Sequence, residues 1–374
     1  MRQTAYTLLF LTLTSLFTFS VNTVTNGSGE TLPTTPAANQ RTYLPSLTKE
    51  KAPIPSPAVY WGAYVSNAPW TMDDLDRFEE TVEKRVSILH FGLPWMHKDA
   101  FKPFPVSVMN EIRDRGSIPM IGWGAWHLGK GPEQPEFRLR LIADGHYNQF
   151  LHEWAEAAKS WGHPFFLKFN WEMNGNWQFP WSVQLNGNQP QDYLDAWRHV
   201  HHIFSAVGAD NVTWVWCPNV SSRQTVDMAQ LYPGEDYVDW ACLHGYNFGG
   251  DDWRAFNEIF SGYEGNPFNS YEQLLQIAPT KPIMIGEWAS AEAGDGGSKK
   301  AEWIRDALEI QIPQHYPQIR AVVWFNWDAE DGRSWIVNSS SASARSIAAS
   351  LKSSYYVDAR FNGLDSSPIP PYER

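Results

Sequence analysis

Two glutamates carry the clearest chemical signal in the chain. Glu172 follows the run Phe165-Phe166-Leu167-Lys168-Phe169-Asn170-Trp171, and Glu287 follows Pro282-Ile283-Met284-Ile285-Gly286. Both runs are apolar enough for strands buried on two faces. After Glu172 the sequence turns to Met173-Asn174-Gly175-Asn176-Trp177, which is loop chemistry. A carboxylate at the end of a buried strand is costly unless it is paired or used. The two glutamates are therefore expected to face each other across one pocket. Paired carboxyl groups suit glycoside hydrolysis. One, held protonated beside apolar aromatic rings, donates to the leaving oxygen; the other, ionised, attacks the anomeric carbon or activates water.

The elements that must position these groups are legible as alternating patterns. Apolar strands are expected at 59–65, 86–92, 118–123, 164–171, 212–217, 237–245, 282–287 and 320–326, with amphipathic helices at 72–84, 106–115, 145–160, 192–207, 271–277 and 299–311. Eight strands with helices between them, in about 300 residues, predict an α/β chain folded as a single-domain (β/α)8 TIM barrel. A doubly wound sheet normally carries a Gly-rich turn after its first strand, and Gly62-Ala63-Tyr64-Val65 is not one. In such a barrel the site is built at the C-terminal ends of the strands. Those ends are rich in aromatic and amide residues: Tyr64, Trp123, Trp126, His127, Asn170, Trp171, Trp216, Asn219, His244, Tyr246, Asn247, Trp288, Trp324 and Trp327. They lack a three-histidine or two-histidine-plus-carboxylate cluster, so no metal and no cofactor are expected. Lys168 is the one lysine in the expected strands, and its setting does not suggest a Schiff base.

Composition narrows the partners. The 374 residues carry a net charge of −12, which argues against nucleic acid or an anionic lipid surface, and 20 Trp, 15 Tyr and 20 Phe. Aromatics in that number must fill much of the core, and those at strand ends can stack on sugar rings. Residues 1–20 read as an export signal cleaved after Ser20, residues 21–57 as a disordered Thr/Pro-rich linker, residues 58–352 as the barrel, and residues 353–374 as a peripheral tail. A secreted or periplasmic protein, monomeric and free of the membrane after cleavage, is the expectation. Cys217 and Cys242 fall on strands consecutive in sequence; two buried free thiols are expected, with a disulfide as the alternative. Asp251-Asp252 reads as a helix start after Gly249-Gly250 rather than a calcium site.

Trp171-Glu172-Met173-Asn174-Gly175-Asn176-Trp177, Trp216-Cys217-Pro218-Asn219, Gly245-Tyr246-Asn247, Ile285-Gly286-Glu287-Trp288 and Val323-Trp324-Phe325-Asn326, in this order on successive strands, resemble glycoside hydrolase family 26, whose best-known members are endo-β-1,4-mannanases. The resemblance covers most of residues 58–352. It implies that Glu172 is the general acid/base, Glu287 the nucleophile and Tyr246 the residue that holds the nucleophile in place. It also implies that Trp177 stacks on sugar and that Trp324 is the platform at the cleavage point, with Trp327 as competitor. Trp171, Lys168, His127, Asn219 and Trp288 complete the expected substrate-binding set. The family's mannanases usually carry His at the position of Trp171 and Arg at that of Lys168. The implied partner is a polysaccharide, β-1,4-mannan first, with mixed-linkage β-1,3-1,4-glucan, xylan or a microbial exopolysaccharide as alternatives. A non-catalytic sugar-binding barrel is disfavoured, because both carboxylates and the tyrosine are present.

Overall fold

A computed structural model describes residues 58–175, 179–328 and 333–373. Eight parallel strands close into a barrel: β1 (Val59–Val65), β2 (Ile88–His97), β3 (Ile118–Leu128), β4 (Phe165–Phe169), β5 (Val212–Trp216), β6 (Trp240–Asn247), β7 (Ile283–Ser290) and β8 (Ile319–Asn326). Each pairs with its neighbour in sequence, and β1 pairs with both β8 and β2, which closes the ring. Helices lie between the strands, among them α1 (Met72–Val82), α2 (Val106–Asp114), α3 (Leu139–Ala143), α4 (Asn148–Trp161), α5 (Pro190–Val207), α6 (Phe256–Ser261), α7 (Ser270–Ile277), α8 (Ser298–Arg305) and α9 (Ser341–Ser350). This is the expected (β/α)8 architecture.

Helix α5 shows why the sequence folds this way locally. Pro190 occupies its first turn, the Asp192 carboxylate accepts from the Gln189 backbone N–H at 2.9 Å, and Gly208 ends it in the left-handed region. Its buried residues Tyr193, Ala196, Trp197, Val200, Ile203 and Phe204 recur at helical spacing and press on the strands. The predicted helix at 299–311 instead divides. α8 ends at Arg305 and the chain widens into a π-helical stretch, Asp306–His315, that contains Pro313. Proline has no N–H to continue an α-helical ladder.

Most of the tryptophans form a layer between barrel and helices. Trp123 of β3 stacks on Trp154 of α4 at 4.4 Å between ring centroids, and Trp95, Phe169, Trp197 and Phe204 extend that layer. On β4 the side chains alternate: Phe165 and Phe169 face the helices, and Lys168 faces the barrel axis.

The tail, expected to be peripheral, is built into the N-terminal end of the barrel. Tyr356–Val357 adds a short parallel strand beside β1. Ile369 donates its N–H to Thr213 Oγ1 and accepts from Trp240 Nε1, both at 2.8 Å, and Pro370 O accepts from Tyr60 Oη. Buried groups at the foot of three strands are thereby satisfied, and the site end stays clear. The cysteines also differ from expectation. Cys217 and Cys242 form a disulfide, because the β5–β6 register sets Trp216 beside Ala241 and brings the next residue of each strand together. No helix among the described residues is long and apolar enough to cross a membrane. The expected export signal and linker lie outside the described residues.

Candidate active site

The two glutamates meet. Glu172 follows β4 by three residues and sits in the left-handed backbone region, φ 53°, as does Asn170, φ 43°. Non-glycine residues hold that conformation only where their surroundings fix it. Here the Glu172 N–H donates to Cys217 O at 2.8 Å, Asn170 Oδ1 accepts from the Ala125 N–H, and the Asn174 side chain clamps the Asn219 backbone from both sides at 2.8 and 2.9 Å. Glu287 lies within β7. Its predecessor must be glycine: a Cβ at Gly286 would stand 2.3 Å from Cys242 Sγ and 3.0 Å from Cys217 Sγ. The disulfide therefore underlies the Glu287 position, and the carbonyl of one of its cysteines holds Glu172.

Both carboxylates are nearly fully buried, and each is held by hydrogen bonds. Tyr246 Oη donates to Glu287 Oε2 at 2.6 Å, and Lys168 Nζ donates to Oε1 at 2.6 Å. His244 Nδ1 lies 2.7 Å from Glu172 Oε1, and its Nε2 lies 2.9 Å from Lys168 Nζ. A nearest ligand atom from each of Glu172, His244 and Glu287 lies within 4.8 Å of the others. That trio could hold a small cation, but the Lys168 ammonium already supplies positive charge to it. Burial pushes His244 down to about 3, against the pull of Glu287 and with that of Lys168, so its ring is neutral near pH 7. His90, 3.6 Å from Glu287 Oε1, is lowered well below the usual histidine range by burial and then by Lys168 and His244. Burial and the adjacent Glu287 and Glu172 charges raise Tyr246 well above the ordinary tyrosine value, so its hydroxyl remains a donor.

The expected binding residues divide. Trp171 forms a wall of the site: its ring lies 5.0 Å from Trp181 and 5.2 Å from Phe179, both edge-on, and 5.3 Å from Lys168 Nζ. Trp327 lies beside Tyr64 and Phe325. Trp324, expected as the sugar platform, is fully buried against Trp288 and Trp303 of α8, with its indole N–H on Trp335 O. Trp288 is likewise buried, against Phe256 and Trp303. Alternation explains both: Glu287 and Phe325 turn toward the axis, so the neighbouring Trp288 and Trp324 turn toward the helices. Lys168, expected to touch substrate, is fully buried beneath Glu287. His127 is engaged by Asp99 and by Leu128 O, apart from the carboxylate cluster. Asn219 is held through its backbone by Asn174. Trp177 lies outside the described residues.

His244 and Trp335 were not among the expected binding or catalytic residues. His244 could have been found, because it lies two residues before Tyr246 on one strand and so shares its face. Trp335 gave no such signal: it comes from the loop after β8, and its ring stacks on Tyr246 at 4.9 Å, with the exposed Phe248 at 6.0 Å.

Comparison with known proteins agrees with this geometry. The profile described as Glycosyl hydrolase family 26 matches residues 130–269. Endoglucanase H of Acetivibrio thermocellus is 32% identical over 290 residues, which span 75% of this chain but 29% of that protein. The chain thus matches under a third of that relative's length. Among solved structures, the YdhT protein of Bacillus subtilis has a TM-score of 0.60 at 18% identity, covering 84% of this chain and 92% of that one. A Bacillus subtilis mannanase has a TM-score of 0.55 at 19% identity, covering 78% and 85%. At these identities the structural likeness shows the shared fold.

Proposed function

Since the chain belongs to glycosyl hydrolase family 26, we propose that it is a retaining endo-glycosidase of a β-linked polysaccharide, with Glu287 as nucleophile and Glu172 as general acid/base. The observation that carries this reading is the approach of the two carboxylates, whose nearest oxygens lie within 4.8 Å. Retaining enzymes need their carboxyl groups about 5–5.5 Å apart, whereas an inverting enzyme needs about 6.5–9.5 Å to admit a water. Glu287, held as the anion by Tyr246 and Lys168, attacks the anomeric carbon. The glycosidic C–O bond breaks, its electron pair stays on the leaving oxygen, and that oxygen takes the proton of Glu172. Water then attacks the same carbon, gives its proton to Glu172 and frees Glu287. One water is consumed and the β-configuration is kept.

A β-linked glucan is the favoured backbone. The relative at 32% identity is an endoglucanase, and this chain carries Trp171 and Lys168 where mannanases of the family usually carry His and Arg. Mannan is the second reading, favoured by the motif set on β4, β6 and β7. The apolar leader at 1–20 supports export, and N-terminal sequencing of the exported protein tests cleavage after Ser20. Reducing-sugar release from barley-type β-glucan, glucomannan, galactomannan and xylan, by wild type and Glu287→Ala, tests the function. Proton NMR of the first product tests the stereochemistry. Activity on the glucan, lost in the variant and giving the β-anomer first, is expected. Activity on galactomannan alone moves the substrate to mannan, and inactivity on all four refutes the reading.

A further inference from the structure

Between the two carboxylates lies a pair of side chains that two-carboxylate chemistry does not itself require. Lys168 projects from β4 and His244 from β6, and both are fully buried. Their contacts form one unbroken chain: Glu287 Oε1 to Lys168 Nζ at 2.6 Å, Nζ to His244 Nε2 at 2.9 Å, and His244 Nδ1 to Glu172 Oε1 at 2.7 Å. Glycines border it: a Cβ at Gly286 would stand 3.2 Å from His244 Nε2, and one at Gly122, beside Lys168 in the β3–β4 register, 3.0 Å from His90 Nε2.

The donors in this chain can be assigned. Burial lowers Lys168 from the ordinary lysine value while Glu287 and Glu172 pull it back up; as an ammonium held between these two carboxylates it has only hydrogens to offer, so His244 Nε2 accepts from it. A neutral imidazole with a bare Nε2 carries its hydrogen on Nδ1 and donates it to Glu172 Oε1. That oxygen is then an acceptor, and when Glu172 is protonated its proton sits on Oε2. In the first step of the proposed reaction the negative charge disappears from Glu287, which becomes an ester, and appears on Glu172, which has given up its proton. Lys168 touches the first site directly and reaches the second through the imidazole.

We propose that Lys168 and His244 act as one positioning pair that couples the two carboxylates, with the buried cation supporting the anion on Glu287 before the sugar is attached and, through the imidazole, the anion on Glu172 afterwards. The pair also fixes the proton of Glu172 on Oε2. This inference rests on the assignment of Glu172 and Glu287 made above. Neither side chain donates a proton to substrate. The other titratable groups facing the pair are His90 of β2, Tyr64 of β1 and Tyr246 of β6, and burial keeps each of them neutral near pH 7.

Lys168→Met, Lys168→Arg, His244→Leu and His244→Asn test the pair through the pH dependence of kcat/KM and through leaving-group dependence. Lys168→Met is expected to lower kcat/KM on polysaccharide about 10²–10³-fold, as loss of a preorganised donor does. Both limbs of its pH profile move to higher pH, because each carboxylate loses the cation that favours its anion. Lys168→Arg keeps the charge and loses less. His244→Leu moves the alkaline limb upward. It slows polysaccharide cleavage far more than the burst of dinitrophenolate from a 2,4-dinitrophenyl β-cellobioside, whose leaving group needs no acid. His244→Asn, whose amide can replace the Nδ1 donor, restores part of the loss. A role confined to packing predicts equal losses on both substrates and unmoved limbs, and that result overturns the proposal.

The wild type gives a readout that survives any misfolding variant. Long-range proton–nitrogen NMR of histidine-labelled protein is expected to show His244 as the Nδ1–H tautomer, untitrated between pH 5 and 8. An Nε2–H tautomer overturns the chain of donors even if the enzyme is active. Inactivity of wild type on every polymer and on the aryl glycoside overturns the functional reading instead, while the tautomer still reports on the pair.

Discussion

Replacement of Tyr246 by Phe isolates one hydrogen bond at Glu287, the proposed nucleophile. Tyr246 Oη donates to Glu287 Oε2 at 2.6 Å, and its ring stacks on Trp335 at 4.9 Å and meets Phe325 edge-on at 5.7 Å. Phenylalanine keeps both ring contacts and removes only the hydroxyl. A hydrogen bond to a charged group contributes about 1.5–3 kcal/mol. At about 1.36 kcal/mol per decade this corresponds to roughly 10–150-fold in rate. The loss should fall on kcat/KM, with the acid limb of the profile moving to higher pH, since Glu287, as the proposed nucleophile, loses a donor that favours its ionised form. Initial rates on soluble polysaccharide across pH 4–9, with a thermal melt of each protein, measure it. A kcat/KM within threefold of wild type at every pH would show that the hydroxyl does not support the anion. A loss matched by a large drop in melting temperature would show that it acts through the fold.

Trp324→Ala and Trp288→Ala should cost about 3–5 kcal/mol of stability in urea unfolding and leave KM unchanged, because both rings fill the layer between barrel and helices. Trp327→Ala removes a buried ring that packs on Tyr64 and Phe325, and should raise KM several-fold as well as lower the urea midpoint. The double variant Cys217→Ala/Cys242→Ala opens a cross-link spanning 25 residues and should lower the unfolding free energy by about 3 kcal/mol in the same assay. His244 titrates near 6.5 unfolded and is pushed down to about 3 in the fold, so between these values the unfolded chain binds the extra proton. Its contribution is complete above about pH 6.5 and is lost as pH falls toward 3, on the order of a few kcal/mol. The urea midpoint should therefore drop steadily on acidification from pH 7 to 4, and His244→Asn should flatten that slope.

The strands, the helices between them and the two glutamates were legible because each rests on a local pattern. Apolar runs of strand length, amphipathic spacing and a carboxylate placed where burial would penalise it are properties of neighbours in sequence. Tyr246 was legible from the resemblance of its motif and stands at Glu287 as implied. The sense of the side chains at strand ends was harder to read. A single-residue choice of face sends Glu287 and Phe325 to the axis and Trp288 and Trp324 to the helices, and β7 and β8 carry register shifts that composition does not display. Lys168 was visible as the one strand lysine, but what it pairs with depends on β6 and β7, whose residues lie 76 and 119 positions away.

The sequence by itself determined the barrel, its order of elements and the placing of two carboxylates at strand ends, since hydrophobic periodicity and the cost of a buried charge act within a few residues. Only the tertiary structure decided that Cys217 bonds Cys242, that the tail seals the foot of the barrel, and that Lys168 and His244 join Glu287 to Glu172. Those features depend on the register and closure of strands distant in sequence, and ring closure fixes which side chains share the axis.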